Sequence, residues 1–384
     1  MNIGILLDNT ILTSHWGVLH YLLTFAEHLE SLGNKVYFIK QDHTFYGTYS
    51  TYLLSFTDKI RPVKADFVQN VYTSPFKDNL YRSVFSKSNR VINYTQTGLD
   101  ETFQCLDISI LIVGAPWIMV SNKIKNIVNM GICFDNIPSE YTIGAGRNIN
   151  KFASQHHNGY SNWNQYFQKV LFISLKSQDN YEAYYKNLKP NQHSVIPPLG
   201  TAIAYEKGHN INKTGRSLCL CAPFDPRKGV VKNMLFLKSI LPCFDNILIY
   251  GSPRCEEKYF LAVMEIFKDT NTTWYKNPTD KQAASIYWSS DYLFFPSENE
   301  GLGLPIIESQ VHGCRVIIHD RAPMNQLAMD AAFFLTDSAE SDAIRFKSEL
   351  NNNFDRNQLA KKCRDKFLNI VHFENWWNNL INSL

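Results

Sequence analysis

The sequence predicts an α/β protein built from two Rossmann-like parallel-sheet domains. Three observations carry that expectation. At 384 residues the chain exceeds what a single hydrophobic core usually holds. Short apolar runs recur along it with helix-length segments between them, the alternation of strands joined by helices over a parallel sheet. The alternation breaks once, at Ile196-Pro197-Pro198-Leu199-Gly200, and then restarts.

In the first half the runs fall at 3–7, 35–39, 91–94, 108–113, 131–134, 170–173 and 194–196. The second half repeats the scheme at 217–221, 246–250, 272–275, 292–295, 315–318 and 332–335. Near-continuous apolar runs are what a sheet covered by helices on both faces requires. Paired prolines cannot continue a strand, and Lys207-Gly208-His209-Asn210 has no apolar period, which places the linker near 200–214. Residues 354–384 read as two helices. The last carries Phe373, Trp376, Trp377, Leu380 and Ile381 at spacings of three and four, a stripe that needs a surface to cover. The expected division is a first domain at 1–200, a second at 201–365, and a closing helix at 366–384 that packs back on the first.

Composition narrows the function classes. With 45% hydrophobic and 19% charged residues the chain has the make-up of a soluble enzyme, and no stretch reaches the roughly 18 apolar residues that span a bilayer. A formal charge of +3, spread along the chain, is too small to imply nucleic acid. The opening Met1-Asn2-Ile3-Gly4-Ile5-Leu6-Leu7-Asp8 reads as a buried strand and not as a secretory leader. Eight cysteines form no C-x-x-C pair, and Cys219 and Cys221 share one face of an apolar strand, so reduced thiols in a cytoplasmic setting are expected. The aromatic and amide mixture at 160–167 suits either a sugar-binding surface or ordinary helix packing. The basic, aromatic stretch 72–90 offers either a solvated loop or peripheral contact with the inner face of the membrane.

The segment 296–313 is the most informative. After the run at 292–295 it reads Glu300-Gly301-Leu302-Gly303-Leu304-Pro305, then a helix with Glu308 about one turn inside it. Pro305 stands where a missing N–H does no harm, and the glycines let a ligand approach the backbone. A helix start of this kind presents unpaired N–H groups and partial positive charge to a phosphate or a sugar. The carboxylates of Glu300 and Glu308 can then accept hydrogen bonds from different hydroxyls of one ligand, a ribose diol being a natural partner for one of them. Taken alone, each glutamate is also a solvated or dipole-favoured acid.

The form Glu-Gly-hydrophobic-Gly-Leu-Pro-x-x-Glu resembles the signature of glycosyltransferase family 4, and Glu300 to Glu308 match it position by position. The resemblance implies the GT-B architecture, two Rossmann-like domains facing each other across a cleft, and transfer of a sugar from a nucleoside diphosphate donor with retention of configuration. It implies that Glu300 faces donor-sugar hydroxyls, that Glu308 binds the ribose, and that the amides of Gly301, Leu302, Gly303 and Leu304 touch the sugar or the diphosphate. Phe224-Asp225-Pro226-Arg227-Lys228-Gly229 is similar to the family's basic segment, which gives Lys228 the diphosphate. A fixed cation there stabilises the leaving group. The arginine usual five positions before that lysine is Pro223 here, and either Arg227 or a residue from elsewhere takes its place.

The remaining segments fit the same scaffold. Leu12-Thr13-Ser14-His15-Trp16-Gly17-Val18 resembles the glycine loop near the donor phosphates, with Gly17 alone where two glycines are common; Ser14 as a simple helix cap explains it as well. Gly251, after the run 246–250, falls where the family's strand turns beside the nucleotide base. At 131–138, Phe134 occupies the family's usual histidine position, and Asp135 either orients an acceptor hydroxyl or caps a turn. The catalytic set implied is Glu300, Lys228 and Asp135. No Asp-x-Asp and no cluster with metal-ligand spacing occurs, so no metal and no other cofactor is expected, the nucleotide sugar being a substrate. No lysine is suitably placed for pyridoxal phosphate, which disfavours a glycan phosphorylase on the same architecture.

The acceptor class implied is a glycan or lipid-linked glycan hydroxyl. Abundant Asn, Lys, Ile, Tyr and Phe suggest an AT-rich microbial gene, in keeping with O-antigen or capsule biosynthesis. A catalytically silent carbohydrate- or nucleotide-binding protein on the same fold is the alternative, with Pro223 and Phe134 in its favour.

Overall fold

A computed structural model of the chain describes residues 1–8, 16–41, 68–72, 91–94, 106–118, 127–135, 147–185, 192–211, 215–253, 255–350, 352 and 354–384. The stretch 73–90 and residues 12–15 of the expected glycine loop lie outside them. The chain divides into two compact units. One comprises 1–50, 77–199 and 369–384; the other comprises 51–76 and 200–368.

The first unit holds a sheet of strands β1 (Asn2–Asp8), β2 (Lys35–Gln41), β4 (Val91–Tyr94), β5 (Ile110–Val113), β6 (Val128–Cys133), β7 (Lys169–Phe172) and β8 (His193–Val195). Their order across the sheet is β4-β2-β1-β5-β6-β7-β8, and all pairs are parallel. The central strands are buried along their length, as β5 and β7 are at every position, because helices cover both faces. Gly131 in β6 is required for packing: a Cβ there would sit 2.3 Å from the Trp163 ring. Trp163 and Tyr160 are fully buried on the helix Arg147–Tyr166, and Phe167 stacks on Trp163 at 5.4 Å. Those aromatic side chains at 160–167 are core.

The closing helix Ile370–Asn382 belongs to this unit. Asn369 caps it by accepting from the Val371 N–H. Its stripe meets the helix Trp16–Ser31, with Phe25 packed edge-on against Phe373 at 5.3 Å and within ring-contact distance of Trp376 and Trp377. The Trp376 indole N–H donates to Ser194 Oγ at 2.9 Å.

The second unit holds β3 (Val68–Tyr72), β9 (Ser217–Cys221), β10 (Asn246–Tyr250), β11 (Thr272–Tyr275), β12 (Tyr292–Phe294), β13 (Arg315–His319) and β14 (Phe333–Leu335). The order is β14-β13-β12-β9-β10-β11-β3, again parallel throughout. Its core gathers Leu218, Leu220, Phe236, Ile249, Phe267 and Phe294 between sheet and helices. β3 differs from the expected division: it lies within 1–200, yet pairs with β11 in the second sheet. Each expected run corresponds to a strand, with ends shifted by up to three residues at β6, and Phe134 and Phe295 fall just beyond their strands.

Candidate functional site

The second unit gathers the chemistry at the carboxyl ends of β9, β10 and β12, where strands of an open α/β sheet hand over to loops that bind ligands. After β9 the chain turns at Ala222, whose φ is 49°, and reaches a 3-10 turn at Pro226–Lys228. Asp225 caps that turn by accepting from the Arg227 N–H at 3.0 Å, and its two oxygens also accept from the Arg227 guanidinium at 3.2 and 2.7 Å. Burial alone would raise the Asp225 pKa; the guanidinium outweighs it and holds the carboxyl below its usual range. Arg227 is thereby fixed while staying partly exposed.

Gly229 ends the turn with φ 68°, and a Cβ there would come within 2.4 Å of the Pro296 carbonyl oxygen. That close approach stitches the β9 loop to the loop after β12. The Glu298 N–H donates to the Arg227 carbonyl at 3.1 Å, and buried Ser297 reaches the same carbonyl through its hydroxyl at 3.2 Å. The result is an ion pair. Lys228 Nζ donates to Glu300 Oε1 at 2.5 Å, and Ser297 Oγ donates to the same oxygen. Both charged side chains are mostly covered, at 14% and 13% exposure, and the ammonium lies 4.8 Å from the Phe295 ring centroid.

The turn that follows runs through Gly301 and Leu302 to Gly303, whose φ of 96° is left-handed and opens the helix Leu304–Val311 with Pro305 in its first turn. Leu302 is buried and anchors the turn. Ile306 and Ile307 of that helix are fully buried, and Glu308 is 4% exposed. Thr201 Oγ1 donates to Glu308 Oε1 at 2.5 Å, and Tyr287 Oη donates to Oε2 at 3.2 Å. Burial pushes the Glu308 carboxyl up to about 7 against the pull of those two hydrogen bonds.

Gly251, at φ 114°, lets the end of β10 approach Ala222, whose Cα would lie 3.0 Å from an added Cβ. Cys221, at the end of β9, feels Lys228, Glu308 and Glu300 together, while burial pushes its thiol up to about 12 and keeps it protonated. The expected residues Lys228, Arg227, Glu300, Gly301, Leu302, Gly303, Leu304, Glu308 and Gly251 thus all lie on loops and helix starts of one unit. Asp135 and Gly17 lie in the other unit: Gly17 is exposed in the helix Trp16–Ser31, and the Asp135 carbonyl accepts from Tyr160 Oη at 2.9 Å just after β6. Phe134 receives the edge of buried Tyr21, ring centroids 5.4 Å apart.

Sequence reasoning missed Asp225, Ser297, Thr201 and Tyr287. Asp225 stood in the quoted segment and its spacing to Arg227 was a readable cap. The others join partners that only the fold brings near.

Two parallel-sheet α/β units with this loop arrangement define the GT-B glycosyltransferase fold. Among solved structures, Anabaena HepE in complex with UDP-glucose matches over 100% of both chains with a TM-score of 0.66 at 12% identity. Sucrose-phosphate synthase from Thermosynechococcus elongatus matches over 99% of this chain and 100% of its own, at TM-score 0.64 and 14% identity. In sequence, the chain is similar to the serotype-specific mannosyltransferase WbdA of Escherichia coli, 32% identical over 209 residues, covering 48% of this chain. The chain spans 25% of the length of that relative. No protein-family model matches the chain.

Proposed function

We propose that the chain is a retaining glycosyltransferase. It moves a hexose from a nucleoside diphosphate sugar to a hydroxyl of a glycan or lipid-linked glycan, in the synthesis of a microbial surface polysaccharide. The observation that carries this is the Lys228–Glu300 pair, held by Ser297 beside the glycine turn and the start of the helix Leu304–Val311. It sets a cation beside the glycine turn and the helix start, whose dipole suits a diphosphate, and a carboxylate next to both, which suits the hydroxyls of the attached sugar.

In this reading the donor diphosphate draws Lys228 toward itself and leaves Glu300 to accept from the hexose. As the glycosidic bond breaks, negative charge grows on the leaving diphosphate, and Lys228, Arg227 and the helix N–H groups stabilise it without a divalent ion. The acceptor hydroxyl attacks from the face the diphosphate leaves, a phosphate oxygen taking its proton. HepE, which shares the fold, is known with UDP-glucose, and WbdA is a mannosyltransferase. Mannose from a nucleoside diphosphate donor is therefore the first hexose to try, and contact with the inner face of the membrane follows if the acceptor is lipid-linked. The test incubates the protein with GDP-mannose, UDP-glucose and UDP-galactose and mannose-containing oligosaccharides in excess chelator, and reads nucleoside diphosphate release and the anomeric configuration of the product by proton NMR. Release with retained configuration supports the reading. Inversion, or a strict need for a divalent ion, contradicts it.

Phe134 favours a second reading, a silent binding protein, because it places an apolar ring where the family that the sequence resembles uses histidine. Donor binding without turnover under any of those conditions would select it.

A further inference from the structure

Glu308 is held from two sides by hydroxyls that sequence reasoning did not assign. Thr201 stands at the N-cap position of the short helix Ala202–Tyr205, yet its hydroxyl caps nothing there and donates instead to Glu308 Oε1 at 2.5 Å. On the other side Tyr287, fully buried on the helix Asp280–Ser289, donates to Oε2 at 3.2 Å. A capping box formed by Thr279 and Gln282 fixes the start of that helix and hence the register of Tyr287. The Tyr250 hydroxyl at the end of β10 hydrogen-bonds Tyr287, and Cys221 hydrogen-bonds Tyr250. With the Tyr287 proton donated to the carboxylate, the Tyr250 hydroxyl donates to Tyr287.

A carboxylate has about four lone-pair sites. Thr201 and Tyr287 occupy one on each oxygen, which leaves one on each for a vicinal diol.

We propose that Tyr287 and Thr201 are positioning residues that orient the Glu308 carboxylate to accept the two ribose hydroxyls of the donor nucleotide. The inference rests on the glycosyltransferase reading above, in which the second unit binds a nucleoside diphosphate. Neither hydroxyl touches the nucleotide; each acts through Glu308. The groups that face this carboxylate are Thr201 before the helix Ala202–Tyr205, Tyr287 and Asp280 on one helix, Tyr250 on β10 and Cys221 on β9. At the end of its own helix His312 stacks on Tyr287, with Arg364 acting on His312 from the helix Arg356–Phe367. Of these, Tyr287 and Thr201 hydrogen-bond the charged form, so removing either favours the protonated acid.

The test is calorimetric titration of the full chain with UDP and GDP and with their 2′,3′-dideoxy counterparts. The proteins are wild type, Tyr287→Phe, Thr201→Val and Thr201→Ser. For the natural nucleotide that binds, Tyr287→Phe and Thr201→Val each weaken affinity about tenfold, the scale of one hydrogen bond to a charged group, and Thr201→Ser returns it to within about twofold. For the dideoxy nucleotide the same variants change affinity less than about twofold. The acidic limb of the affinity profile moves to higher pH in both damaging variants. Equal losses on natural and dideoxy nucleotides, or none on either, overturn the positioning role while leaving donor binding intact. Wild type that binds neither UDP nor GDP overturns the reading on which the role rests. Thr201→Val and Thr201→Ser decide the matter independently should Tyr287→Phe fail to fold.

Discussion

Glu308 and His312 sit one helical turn apart and respond to pH in opposite senses. Glu308 has its pKa raised from 4.5 to about 7 by burial, so folding takes up a proton there between those values, and its stabilising contribution is lost as pH rises through that window. His312 is lowered from 6.5 to about 4 by burial, so its contribution is present above 6.5 and lost as pH falls toward 4. The two slopes oppose each other in wild type. Glu308→Gln removes the first, and the variant should gain stability relative to wild type by on the order of 3 kcal/mol between pH 4.5 and pH 7.5, read from urea midpoints at each pH. A difference that does not change with pH would show that the carboxyl titrates normally.

Lys228 and Glu300 set a different prediction at the same scale. Each is mostly covered and each neutralises the other, so removing one leaves a poorly solvated charge. Lys228→Met is expected to cost both stability and turnover, with kcat falling about a hundredfold or more because leaving-group charge loses its cation. Glu300→Gln keeps the shape and the Ser297 contact but leaves the covered Lys228 ammonium without its counter-charge, and should lose both turnover and stability. Stopped-time nucleoside diphosphate release checks both. The glutamates and Lys228 were legible because glycine, proline and acid occur in fixed register within a few positions. Their supports were not: Ser297 is an ordinary serine in sequence, and Thr201 and Glu308 meet across 107 positions.

Elements place these residues through close backbone approach. The 3-10 turn Pro226–Lys228 lies against the loop after β12 only because Gly229 has no side chain, a Cβ being 2.4 Å from the Pro296 oxygen. Gly229→Ala combines that clash with a left-handed φ of 68° and should destabilise the second unit by about 2 kcal/mol or more. Its larger effect falls on donor affinity, since Lys228 is the next residue and moves with the turn. Thermal unfolding with and without nucleoside diphosphate separates the two; a variant with wild-type ligand-induced stabilisation would contradict the stitched-loop account. Most strands were legible as apolar runs because helices cover them on both faces. β3 was not, since Val-Gln-Asn-Val-Tyr is interrupted by two adjacent polar residues and joins β11 at the sheet edge, where backbone pairing suffices without a continuous apolar run.

At the scale of the whole molecule, the two sheets, of seven strands each among the described residues, account for the alternation that runs through the sequence. Phe373, Trp377 and Leu380 recur at helical spacing in the sequence and are the residues buried on the closing helix, which groups with the first unit. Trp377, 2% exposed against Phe25, should cost the first unit about 3 to 5 kcal/mol when changed to alanine, with the second unit keeping its nucleotide-induced stabilisation. Loss of that stabilisation as well would mean the units do not hold their folds separately. Pro197 and Pro198 lie just before the division of the units at 199/200, whereas the assignment of β3 to the second sheet depends on pairing that no local pattern records.

The central claim is that the second unit binds a nucleoside diphosphate through Lys228 and the glycine turn, without a metal ion. The most direct measurement is isothermal titration of the protein with UDP, GDP, dTDP and CMP in excess chelator, repeated on Lys228→Met. The account predicts that one diphosphate binds with a defined stoichiometry of one, that chelator leaves its affinity unchanged, and that Lys228→Met weakens it at least about tenfold. Binding that appears only with added divalent ion, or that is indifferent to Lys228, would contradict it.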